Sequence, residues 1–194
     1  MCIFAAMKNV AIFASGEGTN AENIFKYFLN DKRIKIKLVV TNVDTAGVIR
    51  RAEAYKKNVQ IVSKTALYEY TDQLIEFLKT EEIDIIVLAG FLLKIPEAFV
   101  KAFPNSIVNI HPALLPKFGG KGMYGMHVHK AVIAQGETES GITVHYVNEE
   151  YDKGEVILQA KCTIDASDTP ETLDKKVRAL ELEYFPKAIE KIIS

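Results

Sequence analysis

The strongest constraint on the fold is the alternation of short apolar runs with amphipathic segments along the first 111 residues. Apolar, β-branched runs predict buried strands, and apolar residues at helical spacing predict the helices between them. The predicted strands are 8–14, 34–42, 59–62, 83–88 and 107–111, and the predicted helices are 21–29, 46–57, 70–82 and 96–103. Strands that alternate with helices in this way predict an α/β fold, a doubly wound, mostly parallel, Rossmann-like sheet with helices on both faces.

The rest of the chain extends this pattern. A helix is predicted over 127–135, two strands over 141–147 and 155–163, and a long helix or helix pair over 169–193. Because 194 residues suffice for one buried core, we expect a single domain over residues 1–194. Met7 is an alternative start, which would make residues 1–6 a dispensable extension.

Composition excludes several classes of function. A formal net charge of −1 gives no overall attraction to nucleic acid or to an anionic membrane, so neither is an expected partner. The two cysteines, Cys2 and Cys162, form no metal-binding pattern, and we expect no metal. No run approaches the ~18 apolar residues of a membrane span, and the first apolar run is too short for a signal peptide. A cytoplasmic protein that acts on small molecules is the expectation.

Two polar side chains interrupt the predicted strand 107–111. Asn109 and His111 are two residues apart, so both side chains point to the same face of the sheet. Pro112 cannot continue the ladder, which puts the carboxyl end of the strand at His111. Ligands of open α/β sheets bind at that edge, although a core asparagine and an ordinary loop histidine fit the bare pattern equally well.

A glycine loop follows the first predicted strand. The sequence Ser-Gly-Glu-Gly-Thr-Asn at 15–20 leads directly into a helix, and Thr19 or Asn20 is the expected helix cap. Glycines allow close approach of the backbone, and the helix N-terminus favours an anion, so the loop fits a phosphate. A tight strand-to-helix turn explains the same residues. The spacing Gly16, Gly18, Ala21 also fits a dinucleotide-binding oxidoreductase, but Thr41-Asn42-Val43 supplies no acidic residue at the end of the second strand.

Two further loops lie in the second half of the chain. The segment 119–126 has four glycines and is a candidate mobile lid. Asp152, in the loop between the last two strands, is a candidate to approach His111, although Asp-Lys-Gly is also ordinary turn chemistry. We interpret His127, His129 and His145 as helix-face and strand residues rather than metal ligands, with His145 packed near the site.

These segments together resemble the phosphoribosylglycinamide formyltransferase family, the folate-dependent transformylases of purine synthesis. The resemblance covers nearly the whole chain from Met7. It is carried by Ser-Gly-Glu-Gly-Thr-Asn at 15–20, Ala-Gly-Phe at 89–91, Asn-Ile-His-Pro-Ala-Leu-Leu-Pro-Lys at 109–117, Gly-Ile-Thr-Val-His at 141–145 and Asp-Lys-Gly at 152–154. The Asn-x-His-Pro-x-Leu-Leu-Pro signature belongs to the wider formyltransferase superfamily, and the amino-terminal glycine loop indicates this member.

The resemblance implies an enzyme that transfers a formyl group from the co-substrate 10-formyltetrahydrofolate to the amine of glycinamide ribonucleotide. Asn109 and a protonated His111 would stabilise the oxyanion, and Asp152 would keep His111 charged and order a relay water. A 10-formyltetrahydrofolate hydrolase or methionyl-transfer-RNA formyltransferase would share these three residues. Relatives of those kinds carry an additional domain, for which this chain has no room. A ligand-binding protein without catalysis is the remaining alternative.

The resemblance also implies binding residues, and we expect a monomer or homodimer. The residues that would bind the ribonucleotide are Gly18, Thr19 and Asn20 for the phosphate, Glu181 for the ribose, and Arg178 for added positive charge. The residues that would bind the folate are Leu92, Leu93, Lys94 and Ile95 through their backbone, Asn109, and Lys64 as a rough counterpart of a tail-binding arginine.

Overall fold

The computed structural model describes residues 7–193, which form seven strands and seven helices. The strands are β1 (Lys8–Phe13), β2 (Ile34–Thr41), β3 (Asn58–Ile61), β4 (Ile85–Leu88), β5 (Ile107–His111), β6 (Glu139–Tyr146) and β7 (Val156–Thr163). The helices are α1 (Thr19–Tyr27), α2 (Gly47–Ala54), α3 (Lys64–Glu69), α4 (Thr71–Thr80), α5 (Glu97–Ala102), α6 (Met126–Ala134) and α7 (Pro170–Ile193). The suggested extension, residues 1–6, lies outside the described residues.

The strands form a seven-stranded sheet in the order β3-β2-β1-β4-β5-β6-β7. The pairs β1/β2, β2/β3 and β1/β4 are parallel, and β6/β7 is antiparallel. The predicted α/β fold with a mostly parallel, Rossmann-like sheet is therefore confirmed. Strand β1 lies between β2 and β4, so the strand order reverses at β1, the place where open sheets of this kind bind ligands.

The chain divides into two compact units. The first runs to Val108 and includes the residues from Ile189 onward, and the second is Asn109–Ala188. The expectation of one domain over the whole chain stays a prediction.

The core of the first unit is built on β1 and β4. Every residue of β4 is buried, as expected for a parallel strand that is covered on both faces. The ring of Phe13, at the end of β1, makes edge contacts with Phe91 and Phe99 at centroid distances of 5.3 and 6.4 Å. These contacts pack the residues that follow β4 against the residues that precede the glycine loop.

The antiparallel pair β6/β7 is the framework of the second unit. Gly141 lies so close to β7 that a Cβ at this position would be 1.9 Å from the carbonyl oxygen of Ala160. Only glycine fits there. Helix α7 is a single helix of 24 residues with Pro186 inside it, which decides between the two forms predicted for this segment.

Two local predictions were wrong. Neither Thr19 nor Asn20 caps α1; both lie inside the helix, and Gly18, with φ 75°, occupies the cap position without a side-chain hydrogen bond. Helix α3 was not predicted because six residues are too few to show helical periodicity. Its signal was Ser63, whose hydroxyl accepts a hydrogen bond from the backbone N–H of Ala66 at 3.0 Å.

Candidate active site

Strand β5 places two polar side chains at its carboxyl end. Ile107, Val108 and Ile110 are buried, Asn109 is half-buried, and His111 is only 3% exposed. The strand ends at His111, as predicted from the proline that follows.

The loop between β6 and β7 brings a carboxylate to this histidine. Oδ2 of Asp152 lies 3.6 Å from Nδ1 of His111, so the predicted approach of these two side chains is confirmed. The loop turns sharply here: Asp152 has a φ of 55°. A Cβ on Gly154 would lie 1.7 Å from the carbonyl oxygen of Tyr146, so this position requires glycine. The segment Asp-Lys-Gly is thus both a tight turn and part of the site.

The glycine-rich loop contacts both members of this pair. Nε2 of His111 donates to the carbonyl oxygen of Phe118 at 2.8 Å, and the backbone N–H of Gly120 donates to Oδ2 of Asp152 at 2.8 Å. Gly119 packs between Asp152 and Leu115, since a Cβ there would be 3.2 Å from Cβ of Asp152 and 2.6 Å from Cδ2 of Leu115. The beginning of the loop therefore covers the pair, while its predicted movement as a lid stays a prediction.

His145 is a further member of this cluster. Its ring is 2% exposed, and Nδ1 donates to the carbonyl oxygen of Tyr146 at 2.8 Å. Nε2 lies 3.2 Å from the amide nitrogen of Asn109 and 3.7 Å from Oδ1 of Asp152. The predicted position of His145 near the site is confirmed, but no role was predicted for this residue.

Burial sets the protonation of the pair. Burial lowers the pKa of His111 below its ordinary value and outweighs the attraction of Asp152, which acts in the opposite direction. The prediction that Asp152 keeps His111 charged at neutral pH is therefore wrong for this state. For Asp152, burial raises the pKa, but the nearby imidazoles of His145 and His111 and the hydrogen bond from the N–H of Gly120 outweigh it, so the pKa lies below its ordinary value. The carboxylate is ionised at neutral pH.

Two polar side chains that were not predicted, the buried Thr143 and the exposed Gln159, hold the segment after His111. The hydroxyl of Thr143 donates to the carbonyl oxygen of Ala113 at 2.7 Å and accepts from the N–H of Leu115 at 3.0 Å. The amide of Gln159 donates to the carbonyl of Leu115 and to Thr143 Oγ1, both at 2.9 Å. Alternation along β6 was the only available signal for Thr143, and it does not distinguish this residue from other inward-facing ones.

The predicted phosphate-binding residues form the start of α1 in the first unit. Gly18 is buried, Asn20 is half-buried and Thr19 is exposed. Within residues 7–193, the backbone N–H groups of Gly18 and Thr19 donate to no protein acceptor. Free N–H groups at a helix N-terminus suit an anion.

The predicted folate-binding segment follows β4 in the same unit. Leu92 is 62% exposed, but its backbone N–H already donates to the hydroxyl of Ser15 at 2.9 Å. The hydroxyl of Tyr68 donates to the carbonyl of Lys94 at 3.0 Å. Leu93 is half-buried and Ile95 is buried.

Three remaining candidates lie on helices. Lys64 is exposed at the start of α3, and Glu181 is half-buried on α7. Nε of Arg178 bonds Oδ2 of Asp174 at 2.7 Å, so its guanidinium is already paired along α7. The binding roles of all these residues stay predictions.

Residues 7–193 contain neither a metal-binding group of side chains nor a membrane-spanning helix. Nowhere in that range do three or more His, Cys, Asp or Glu side chains form a group that could hold a metal ion. None of the helices there is both long and apolar enough to span a membrane.

Comparison with known proteins agrees with this fold. Residues 8–189 match the family described as Formyl transferase. The phosphoribosylglycinamide formyltransferase of Bacillus subtilis is 34% identical over 192 residues, which cover 96% of this chain and 95% of that protein. The structure of glycinamide ribonucleotide transformylase 1 from Geobacillus kaustophilus superimposes with a TM-score of 0.89 at 32% identity, covering 97% of this chain and 100% of the other.

Plant relatives are longer. The chloroplastic phosphoribosylglycinamide formyltransferase of Arabidopsis thaliana is 40% identical over 189 residues, which cover 94% of this chain but 64% of the relative. The region aligned with the chloroplastic phosphoribosylglycinamide formyltransferase of Vigna unguiculata covers 60% of that protein. This chain thus spans less than two thirds of the length of these two relatives.

The fold, the Asn-His-Asp site and the family match together define a class: the chain belongs to the formyl transferase family. The relatives and the solved structure named above are phosphoribosylglycinamide formyltransferases, also called glycinamide ribonucleotide transformylases. The resemblance found in the sequence is confirmed.

Proposed function

We propose that this chain transfers the formyl group of 10-formyltetrahydrofolate to the amine of glycinamide ribonucleotide in de novo purine synthesis. The observation that carries the proposal is the contact set at the end of β5. It joins Asn109 to His145 at 3.2 Å and His111 to Asp152 at 3.6 Å in a member of the formyl transferase family.

The proposed reaction begins with attack of the amine on the formyl carbon, which creates an oxyanion. Asn109 has an amide N–H to donate, and His111 carries a proton on Nε2 because that atom donates to the carbonyl of Phe118. Neutral His111 can therefore donate to the oxyanion once the substrate oxygen replaces the Phe118 carbonyl. A well-aimed oxyanion donor typically lowers the barrier by ~2.7 to 4 kcal/mol.

The proton balance gives Asp152 its proposed role. Asp152 is ionised at neutral pH, so it can accept the proton that the attacking amine loses, through an ordered water. Oδ2 of Asp152 faces Nδ1 of His111, which can receive that proton. His111 then gives its Nε2 proton to the departing folate nitrogen. One proton thus passes from amine to leaving group, and no metal or covalent enzyme intermediate is needed.

The same proposal assigns the binding residues. Gly18, Thr19 and Asn20 would hold the substrate phosphate, Glu181 the ribose, and Arg178 would add positive charge. The support is the free N–H of Gly18 and of Thr19. Leu93, Lys94 and Ile95 would receive the pterin through their backbone, with Leu92 contributing its carbonyl because its N–H is bonded to Ser15. Asn109 would face the formyl group of the folate, and Lys64 its glutamate tail.

The direct test supplies 10-formyltetrahydrofolate with and without glycinamide ribonucleotide and follows the deformylated folate. Release that depends on the ribonucleotide is expected. Release without the amine would instead indicate a hydrolase, and no release in either mixture would contradict the enzyme proposal. His111→Ala and Asp152→Asn should lower kcat far more than they change substrate binding, whereas His127→Ala, at an exposed histidine of α6, should leave both unchanged. The cytoplasmic location and the monomer or homodimer remain predictions.

A further inference from the structure

Arg51 joins helix α2 to the glycine loop and to helix α1. Its Nε donates to the carbonyl oxygen of Glu17 at 2.7 Å. Its NH1 group forms an ion pair with the carboxylate of Glu22, in the first turn of α1. One guanidinium group therefore holds both the loop and the helix that starts from it, all within the first unit.

A second set of contacts fixes the same loop against α2. The backbone N–H of Val48 donates to the carbonyl oxygen of Gly16 at 3.1 Å. Gly18 packs directly on Val48, since a Cβ at Gly18 would be 2.6 Å from Cβ of Val48. Helix α2 thus binds two consecutive carbonyl groups of the loop, those of Gly16 and Glu17.

The geometry of the peptide group gives these bonds a consequence. In a trans peptide, the C=O and N–H bonds point in opposite directions. When α2 holds the carbonyls of Gly16 and Glu17, the N–H groups of Glu17 and Gly18 must point away from α2. These N–H groups lie beside that of Thr19, at the positive end of α1. Successive N–H groups that point to one side form an anion-binding concavity.

We propose that Arg51 is a positioning residue for the phosphate of the substrate. It acts through the Glu17–Gly18 peptide: by holding the Glu17 carbonyl, it aims the Gly18 N–H at the phosphate without touching the phosphate itself. The assignment rests on the proposed function of the loop as the phosphate site of a ribonucleotide. It adds to the site a residue that lies outside the glycine loop, Arg51 of helix α2.

The role requires arginine rather than a positive charge alone. The guanidinium donates in two directions from one rigid plane, to Glu17 and to Glu22, which a lysine ammonium on its flexible stem does not reproduce. A cavity of about 350 Å³ lies beside this contact, with Gly47, Ala54 and Tyr55 among its lining residues. A shorter side chain at position 51 would therefore be replaced by water rather than by a neighbouring side chain. Glu22 would keep a partner, because Nζ of Lys26 lies 2.7 Å from its carboxylate.

The neighbouring Arg50 is the matched control. It lies on the same helix and carries the same charge, but it is exposed and forms no hydrogen bond or ion pair within the part of the chain that the structure describes. Arg50→Gln and Arg51→Gln change the net charge equally, so any difference between the two variants comes from the contacts of Arg51.

The experiment measures steady-state kinetics of the three proteins with glycinamide ribonucleotide and with the glycinamide ribonucleoside that lacks the phosphate. For Arg51→Gln we expect the KM for the ribonucleotide to rise about tenfold with kcat within about twofold, since one charge-assisted hydrogen bond is lost. With the ribonucleoside, all three proteins should have the same kcat/KM. Arg51→Lys should keep the raised KM.

Three results would overturn the positioning role. The first is the same KM for the ribonucleotide in Arg50→Gln and Arg51→Gln. The second is a loss of kcat/KM in Arg51→Gln that is as large with the ribonucleoside as with the ribonucleotide. The third is full rescue by Arg51→Lys, which would leave only a general charge effect. If the wild-type protein transfers no formyl group, the proposed function fails by itself. Titration with inorganic phosphate then tests Arg51, because the Gly18 amide resonance should shift at lower phosphate concentration in Arg50→Gln than in Arg51→Gln. Identical titrations would reject the role.

Discussion

The side-chain amide nitrogen of Asn109 lies 3.2 Å from Nε2 of His145. The other ring nitrogen of His145 donates to the carbonyl of Tyr146, and a carbonyl can only accept, so the ring proton is on Nδ1. In a ring with one proton, Nε2 is then an acceptor, and only the NH₂ end of the Asn109 amide can face it. His145 thereby orients Asn109, and the second N–H of the amide remains available for an oxyanion.

Replacement of His145 by Phe tests this orientation. Phe keeps a buried ring but removes the acceptor, so the Asn109 amide is free to rotate. We expect kcat to fall about 10- to 100-fold, somewhat less than the loss of an oxyanion donor itself, with little change in KM. Steady-state kinetics measures both constants, with His127→Phe on the exposed face of α6 as the control. An unchanged kcat in His145→Phe would contradict the role.

The protonation of His111 gives a second prediction. Burial holds the pKa of His111 below its ordinary value of 6.5, and the charge of Asp152 partly offsets that effect. Asp152→Asn removes the offset, so the pKa of His111 should fall further. The imidazole C–H resonances of His111, followed by NMR from pH 8 to pH 4, report it directly and need no turnover. A midpoint above 6.5 in the wild-type protein would contradict the conclusion that burial outweighs the attraction of Asp152. A midpoint that is higher in Asp152→Asn than in the wild-type protein would contradict the offset by Asp152.

Much of the fold followed from the sequence because its strands are short, apolar and separated by amphipathic helices. Strand β5 ends at His111 as the proline requires, and the ends of most other elements differ from prediction by a few residues. The start of α1 was misjudged because Thr19 and Asn20 have the chemistry of caps, whereas the sharp turn needs a positive φ, which Gly18 provides. The positive φ that the turn requires therefore determined the residue at the cap position, rather than the capping preference of the side chains.

The site was predictable where one element sets the geometry and unpredictable where distant backbone groups meet. Asn109 and His111 share a face because strand periodicity demands it. The bonds of His111 to the Phe118 carbonyl and of Asp152 to the Gly120 N–H depend on the path of a glycine loop, which side-chain chemistry does not encode. The charge of His111 was misjudged because burial, which has the largest effect on its pKa, depends on the position of the loop and is not evident from the sequence.

A third prediction concerns stability against acid. His129 is 2% exposed and faces Asp174, with Nε2 3.4 Å from Oδ1, and its Nδ1 has no hydrogen-bond partner among residues 7–193. Burial lowers the pKa of His129, against the attraction of Asp174, while Arg178 adds to the lowering. The unfolded chain binds a proton near pH 6.5, but the folded chain binds it only at lower pH. The free energy of unfolding should therefore fall as the pH drops below 6.5, with His111 contributing in the same direction.

Urea denaturation at pH 7.5, 6.5 and 5.5 measures this dependence. Each histidine with a lowered pKa contributes a slope of at most about 1.4 kcal/mol per pH unit between its folded and unfolded pKa values. The His129→Gln variant lacks one such group. Its free energy of unfolding should therefore decline less steeply below pH 6.5 than that of the wild-type protein, whatever its value at pH 7.5. His127→Gln, at an exposed position, should keep the wild-type slope. Equal slopes in all three proteins would show that His129 does not contribute.

The final prediction compares two buried threonines. Thr143 and Thr41 are both 0% exposed, but their hydroxyls have different partners. The Thr143 hydroxyl bonds the carbonyl of Ala113 at 2.7 Å and the N–H of Leu115 at 3.0 Å. Among the residues that the structure describes, the Thr41 hydroxyl makes two hydrogen bonds, both of 3.3 Å and both with the backbone of Val43, two residues away.

Valine has the shape of threonine without the hydroxyl, so Thr143→Val leaves the Ala113 carbonyl and the Leu115 N–H without this partner. An unsatisfied buried polar group costs about 1 to 3 kcal/mol, and we expect a loss of that size in the free energy of unfolding from urea titration. Thr41→Val should cost less than about 1 kcal/mol, because its long hydrogen bonds are weak. The Thr143 variant should also lose kcat, since the segment that it holds begins directly after His111. Equal destabilisation by the two substitutions would mean that the hydrogen bonds of Thr143 do not hold this segment.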